Sequence, residues 1–279
     1  MKKILSLLMA AAAAVNLGSC ADNNTLVKDE VPGGDGHDLG KGTNEVDNET
    51  VCDEVTLDGR IAFADEDGVY FTYSDSVGNG GFRKLDTAAA KILKADGTET
   101  DVASLVSGMP VSVEFDGNVF ETYPERIAPT KIVLGDESEA DNILGMFLEA
   151  FDFLFESDEG LNDNLKYLAF DLADLDRLTE GEKEAFIWKA SEKCGLEPLT
   201  GDHDSLLADG YIVSDEGFMS FPEGLLVSFS TTEAGGGNDN AFEFEMSKWR
   251  SSLGAIFLGC KAERTDGTWS YTNESFAIS

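Results

Sequence analysis

The run Ile143-Leu144-Gly145-Met146-Phe147-Leu148-Glu149-Ala150-Phe151-Asp152-Phe153-Leu154-Phe155-Glu156 decides how the rest of the chain is read. Ile143, Met146, Phe147, Ala150, Phe151, Leu154 and Phe155 recur at i, i+3 and i+4 spacings, while Glu149, Asp152 and Glu156 fall on the other side. That is the period of an amphipathic helix. The acidic stretch Asp136 to Asp141 precedes it, where negative charge suits the positive end of a helix dipole. Such a Phe-rich face serves either as a hydrophobic ligand groove or as core packing, and packing is its commoner use.

Downstream, Leu165 to Phe170 reads as a short buried strand. Thr179-Glu180-Gly181-Glu182 is a capping box, opening a helix through Phe186, Ile187 and Ala190 that Gly195 ends. Asp204 to Ala208 adds one more helical turn. Strand-like segments follow at Tyr211 to Val213, Gly217 to Phe221, Leu225 to Thr231, Ala241 to Met246, Ser252 to Ala262 and Trp269 to Tyr271. Turns fall at Gly235 to Asn238 and Asp266-Gly267. Residues 138–279 are therefore expected to form an α+β domain with an antiparallel sheet and two or three helices.

Upstream of residue 135 the period is two. Val55, Leu57, Ile61 and Phe63 lead into the turn Asp65-Glu66-Asp67-Gly68, and Val69, Phe71 and Tyr73 resume the alternation. Val111, Val113 and Phe115 form a later strand, Asp116-Gly117 a tight turn, and Ile127 to Leu134 the closing strand. With five or so short strands, residues 53–135 are expected to be a small antiparallel β-barrel or rolled sheet. The run Gly108 to Gly117, with Glu121-Thr122-Tyr123-Pro124 and Ile127, resembles the OB-like barrel domain of uncharacterised Gram-positive lipoproteins, a resemblance that implies a fold and no activity.

The first residues carry a different signal. Lys2 and Lys3 precede an apolar stretch from Ile4 to Leu17, too short to span a bilayer, which needs about 20 residues. It ends in Leu17-Gly18-Ser19-Cys20, which resembles the lipobox of bacterial lipoproteins. The resemblance implies cleavage after residue 19, a diacylglycerol on Cys20, and an extracytoplasmic chain held on a lipid bilayer. Residues 20–52 then read as a flexible acidic tether, broken by Pro32-Gly33-Gly34-Asp35-Gly36, with His37 solvated inside it.

Charge removes whole classes of partner. The 279 residues hold 54 Asp plus Glu against 20 Lys plus Arg, a net charge of −34, and loss of residues 1–19 would leave 18 bases and a net −36. Nucleic acids and anionic lipid headgroups call for a basic footprint, so neither is expected as a partner. At 42% hydrophobic residues the chain nonetheless has material for a core. The excess is uneven: residues 135–279 carry −22, yet within them residues 246–279 sum to +1. Lys248 and Arg250, with Trp249 between them on the other strand face or all three on a turn entering the strand, are therefore the candidate partner contact, set against a reading in which Trp249 packs and the cations pair with acids.

A further resemblance covers residues 140–279. Leu165 to Asp171, Leu178 to Lys183 and Ser247 to Phe257 occur in the order found in an uncharacterised clostridial-type C-terminal module, also seen after membrane metallopeptidase segments. It implies a sensing or binding module. The chain has no His-Glu-x-x-His, so no proteolytic residue carries over.

Catalytic and metal motifs are thin. Of two histidines, only His203 in Asp202-His203-Asp204-Ser205 is near a serine, no Gly-x-Ser-x-Gly elbow exists, and Asp caps at a helix start explain the cluster. No Cys-x-x-Cys or paired-His helix suggests zinc. For calcium the nearest approach to an EF-hand loop is Asp75, Val77, Asn79 and Gly80, with Val77 where a ligand belongs, and Asp158, Asn162 and Asp163 form a second oxygen-rich loop. Solvated surface carboxylates are the plainer reading of both, so no cofactor is expected beyond that calcium option. Of Cys52, Cys194 and Cys260, the last two share a domain and are the expected disulfide, and the state of Cys52 stays open. The expectation for function is a non-catalytic binding or sensing lipoprotein with an unidentified surface ligand or protein. The alternative is a surface hydrolase using paired carboxylates, with or without calcium.

Overall fold

The computed structural model describes residues 54–74, 80–232 and 239–278. The signal-like segment, Cys20, the tether with His37, Cys52, residues 75–79 of the first calcium-like loop and the turn at 235–238 lie outside the described residues.

Seven strands build the first sheet: β1 (Val55–Asp65), β2 (Gly68–Ser74), β3 (Gly80–Leu85), β4 (Lys91–Leu93), β5 (Pro110–Phe115), β6 (Glu125–Ile127) and β7 (Pro129–Leu134). Their order is β4-β7-β5-β1-β2-β3-β6. The alternation read from the sequence is met along β5, where Val111, Val113 and Phe115 are buried. Chain continuity makes this sheet curl. In a flat sheet β6 and β7 would lie five strand spacings apart, about 24 Å. Only Ala128 separates them, and two peptide units reach no more than about 7 Å. The two ends of the sheet are thus drawn together around Phe71, Val113, Phe115, Ile127 and Ile132.

The rest of the chain contributes α1 (Ile143–Glu156), β8 (Tyr167–Asp171), α2 (Glu180–Cys194), β9 (Glu197–Thr200) and α3 (His203–Ala208). Then come β10 (Val213–Asp215), β11 (Phe218–Ser220), β12 (Gly224–Thr232), β13 (Ala241–Ser251), β14 (Gly254–Thr265) and β15 (Thr268–Ile278). The fold is α+β. The second sheet runs β10-β11-β13-β12-β8-β9, with β14 on β13 and β15 on β14. An all-antiparallel sheet was expected here, but β8 runs parallel to both β12 and β9. The cause is α2: a strand, a helix and a returning strand bring β9 back in the direction of β8, as crossover connections do.

Local signals account for both long helices. Thr179 Oγ1 accepts from the Glu182 N–H at 3.3 Å and Glu182 Oε2 accepts from the Thr179 N–H at 2.9 Å, closing the capping box. Gly195 ends α2 at φ 66°, a left-handed conformation that glycine takes without a Cβ penalty. The α1 stripe of Ile143, Met146, Phe147, Ala150, Phe151 and Leu154 is buried against Phe170, Phe186, Phe229 and Phe244, so it is core and not a groove.

At residue 135 the chain leaves one sheet for the other, yet one buried cluster serves both. Phe63 of β1, Tyr70 of β2 and Phe82 of β3 surround Trp188 of α2, with ring centroids 6.1, 4.7 and 5.6 Å away. Lys189 Nζ reaches Asp65 Oδ2 at 2.7 Å across the same contact. The start of α2 meets β3 backbone to backbone: a Cβ on Gly181 would lie 2.5 Å from the Gly81 carbonyl oxygen, an approach only glycine permits.

Candidate functional site

Strand β13 organises both faces of the second sheet. Phe242, Phe244, Met246 and Lys248 point inward and are buried, while Glu243, Glu245, Ser247 and Trp249 alternate outward. The alternation foreseen for Lys248 and Trp249 holds, but it delivers Lys248 to the interior, where none of its surface meets solvent.

The Lys248 ammonium is enclosed by oxygen. Its Nζ donates to Phe155 O at 2.9 Å, Asp158 O at 3.2 Å, Asn162 Oδ1 at 3.1 Å, and to Ser157 O. Phe155 and Ser157 sit at the end of α1, where carbonyls lack intrahelical partners and the helix dipole is negative, so a cation there is favoured twice. Asp158 takes a left-handed φ of 51° as the chain turns round the ammonium. Burial pushes the Lys248 pKa down to about 8, against the pull of Asp158 and Glu159.

These contacts correct two expectations. Lys248 cannot touch a partner, because the oxygen-rich loop of Asp158, Asn162 and Asp163 has closed over it. That loop in turn presents its inward oxygens to a lysine rather than to calcium. Among the described residues no group of three His, Cys, Asp or Glu side chains is placed to hold a metal ion. Acids are the expected partners of these cations, yet Arg250 also takes backbone carbonyls. Nη1 donates to Leu161 O at 2.8 Å and Asp163 O at 2.7 Å, and Nη2 to Pro222 O at 3.2 Å. The two cations thus brace residues 155–163, and Arg250 ties that loop to residue 222.

Trp249 belongs to a smaller cluster on the outer face, with Ala169, Leu206, Ile212, Phe221 and Leu226 under α3. Its ring meets His203 edge-on at 4.8 Å. Asp202 caps α3 by accepting from the Ser205 N–H at 2.8 Å, and Ser205 Oγ donates to the Asp202 carbonyl at 2.9 Å. Asp202, His203 and Ser205 are therefore a helix start packed on a tryptophan, not a relay from serine to histidine to carboxylate.

Beside this cluster opens a cleft of about 390 Å³, lined by Tyr167, Tyr211, Phe221, Pro222, Glu223 and, at its mouth, Val213. Tyr167 and Tyr211 stand edge to face, centroids 5.2 Å apart, and Tyr211 lies 6.4 Å from Phe221. One wall is fixed from behind, since the Phe221 N–H donates to Arg250 O at 2.8 Å while Arg250 holds Pro222 O. In the sequence Tyr167, Tyr211 and Phe221 are strand residues and nothing more. Their signal was available in type: three aromatics, two of them tyrosines, beside the breakers Gly210 and Pro222.

No protein-family model matches this chain, and no curated protein sequence is significantly similar to it.

Cys194 and Cys260 are both free thiols, so the expected bridge is not formed. Cys260 Sγ donates instead to Asn273 Oδ1 of β15 at 3.3 Å, an acceptor that holds the thiol in place. Burial raises the thiol pKa of Cys194 to about 11 and of Cys260 to about 12, which keeps both in the less reactive protonated form.

Proposed function

We propose that this chain is an extracytoplasmic lipoprotein anchored through Cys20, and that its folded part is a non-catalytic binding module with an OB-like barrel carrying an α+β body. The Leu17-Gly18-Ser19-Cys20 sequence and the acidic linker behind it support the anchoring. The strand order, in which β6 and β7 together bridge β3 and β5, supports the OB-like reading.

The observation that carries the binding reading is the aromatic cleft. Tyr211 and Pro222 offer apolar faces over the buried Phe221, Tyr167 joins them with Lys166 against its ring and hydroxyl, and Glu223 adds one acceptor. That is a surface for a ring-bearing polar ligand, of which a cell-surface saccharide is the plainest example, since each ring can stack while its hydroxyls are bonded at the rim. The test is titration of the full chain with a soluble surface oligosaccharide fraction, read by tyrosine fluorescence. Saturable quenching, lost in Tyr167→Ala and Tyr211→Ala, supports the reading; no saturable response from the folded protein sinks it. Labelled-palmitate growth with Cys20→Ala checks the anchor.

The hydrolase reading has one observation of its own. Arg83 Nε lies 3.2 Å from Glu125 Oε2, and Glu184 on α2, although exposed, has its pKa raised by desolvation and then by the charges of Glu125 and Glu180. Acid-base cleavage of a glycosidic bond pairs a carboxyl of raised pKa with a second, ionised one. Reducing-end release from surface polysaccharide, abolished by Glu184→Gln, would establish it, and calorimetry with calcium would test the metal version.

A further inference from the structure

Strands β3 and β6 run parallel and in register, pairing Arg83 with Glu125, Lys84 with Arg126 and Leu85 with Ile127. At the first position opposite charges meet in an ion pair. At the second, two cations stand side by side on the other face, about 5 Å apart at the backbone, where like charges cost free energy. The chain offers 54 acids to 20 bases, so an unneutralised cation pair is the least expected arrangement it could adopt.

Neither side chain has a carboxylate partner among the described residues. Lys84 Nζ donates to the Asp67 carbonyl at 2.6 Å and lies 5.2 Å from the Tyr70 ring. The Arg126 guanidinium sits 4.6 Å over Phe120, a residue that the backbone of Arg126 holds through two hydrogen bonds. Its Nε is shielded from solvent and has no acceptor at all. A buried, unanswered guanidinium nitrogen is costly, and arginine's fork is shaped for a planar oxyanion.

Both cations line a cavity of about 410 Å³. Ala88 and Val102 give it an exposed apolar side, Val69 and Leu85 lie behind it in the barrel core, and its two acids are already engaged. Asp65 holds Lys189 at 2.7 Å, and Asp86 caps the short turn at Thr87 by accepting from the Ala88 N–H at 3.4 Å.

The geometry points to a binding site for a small organic carboxylate, its two oxygens between Arg126 and Lys84 and its hydrocarbon end on the exposed Ala88 and Val102. This site is separate from the aromatic cleft and does not depend on it. The test is a titration of the 15N-labelled full chain with sodium butyrate, sodium acetate and inorganic phosphate in turn, at about 0.15 M ionic strength so that the net negative field is screened. The expected result is a saturable shift of the Arg126 Nε–H signal and of the Thr87 and Ala88 amides, at lower concentration for butyrate than for acetate or phosphate. Arg126→Gln should weaken butyrate binding about tenfold or more, read from the two amides. Lys84→Gln, which leaves the stack on Phe120 untouched, should weaken it by a smaller factor and decides the matter if the first variant does not fold. No saturable shift, phosphate binding at least as tightly as butyrate, or unchanged affinity in the folded variants would overturn the assignment.

Discussion

Two pairs of cations, Lys248 with Arg250 on β13 and Lys84 with Arg126 across β3 and β6, have opposite fates. The first pair lies in the stretch where the acidic excess vanishes, and local charge makes it the obvious contact for a partner. Its nitrogens are nevertheless consumed by seven oxygens of the protein's own chain, six of them backbone carbonyls. The second pair lies in a segment that is net acidic, yet both cations line a cavity and the Arg126 Nε has no acceptor. Availability of a charge depends on which backbone groups the fold leaves unpaired nearby, and nothing in a running charge sum reports that.

The comparison is most exposed to failure at Lys248. Lys248→Met should lower unfolding free energy by about 3 kcal/mol, because it strands buried carbonyls at the end of α1. A urea midpoint that barely moves would mean that the oxygens find other donors and that the two pairs do not differ as described. Arg250→Ala comes next, at about 1–2 kcal/mol, since it frees Leu161 O, Asp163 O and Pro222 O nearer the surface. It should also broaden the NMR signals of Tyr167 and Tyr211, whose wall it braces.

Proton linkage sharpens the contrast. Unfolded lysine keeps its proton to pH 10.5, whereas burial leads folded Lys248 to give it up near pH 8. Between those values the unfolded state holds more protons, so raising the pH favours the folded state. The melting temperature of the native chain should therefore rise relative to that of Lys248→Met from pH 8 to 10, and parallel curves would refute the buried ammonium. The smallest effect belongs to the other pair: Lys84→Glu converts a like-charge register position into an attractive one and should stabilise by about 0.5 kcal/mol or less, measured by urea unfolding. A loss of more than about 1 kcal/mol there would show that Lys84, like Lys248, is structural.

What could be read in advance was local. The spacing from Ile143 to Phe155, the Thr179 to Glu182 box and the Asp202 cap each act within one or two helical turns, and each stands as expected. Strand alternation also survived, down to Lys248 and Trp249 facing opposite ways. What escaped was set by pairing between distant segments. Register between residues 83–85 and 125–127 creates the Lys84 and Arg126 neighbourhood, and no side-chain pattern announces it. The acceptors of Lys248 are mostly main-chain oxygens, present at every residue and therefore silent in a sequence. The thiols of Cys194 and Cys260 show the same limit, since sharing a domain says nothing of whether two strand and helix positions face each other.

The placement of β1 has a mechanical side. It is an interior strand, hydrogen-bonded to β2 along one edge and to β5 along the other, and its first residue, Val55, is where the preceding segment joins the folded body. Tension drawn through that segment along the strand axis would load both ladders in shear, so that many bonds must give way together rather than peel one by one. A body pulled by this end should resist far more force than the same body pulled by β15, which is bonded to one neighbour only.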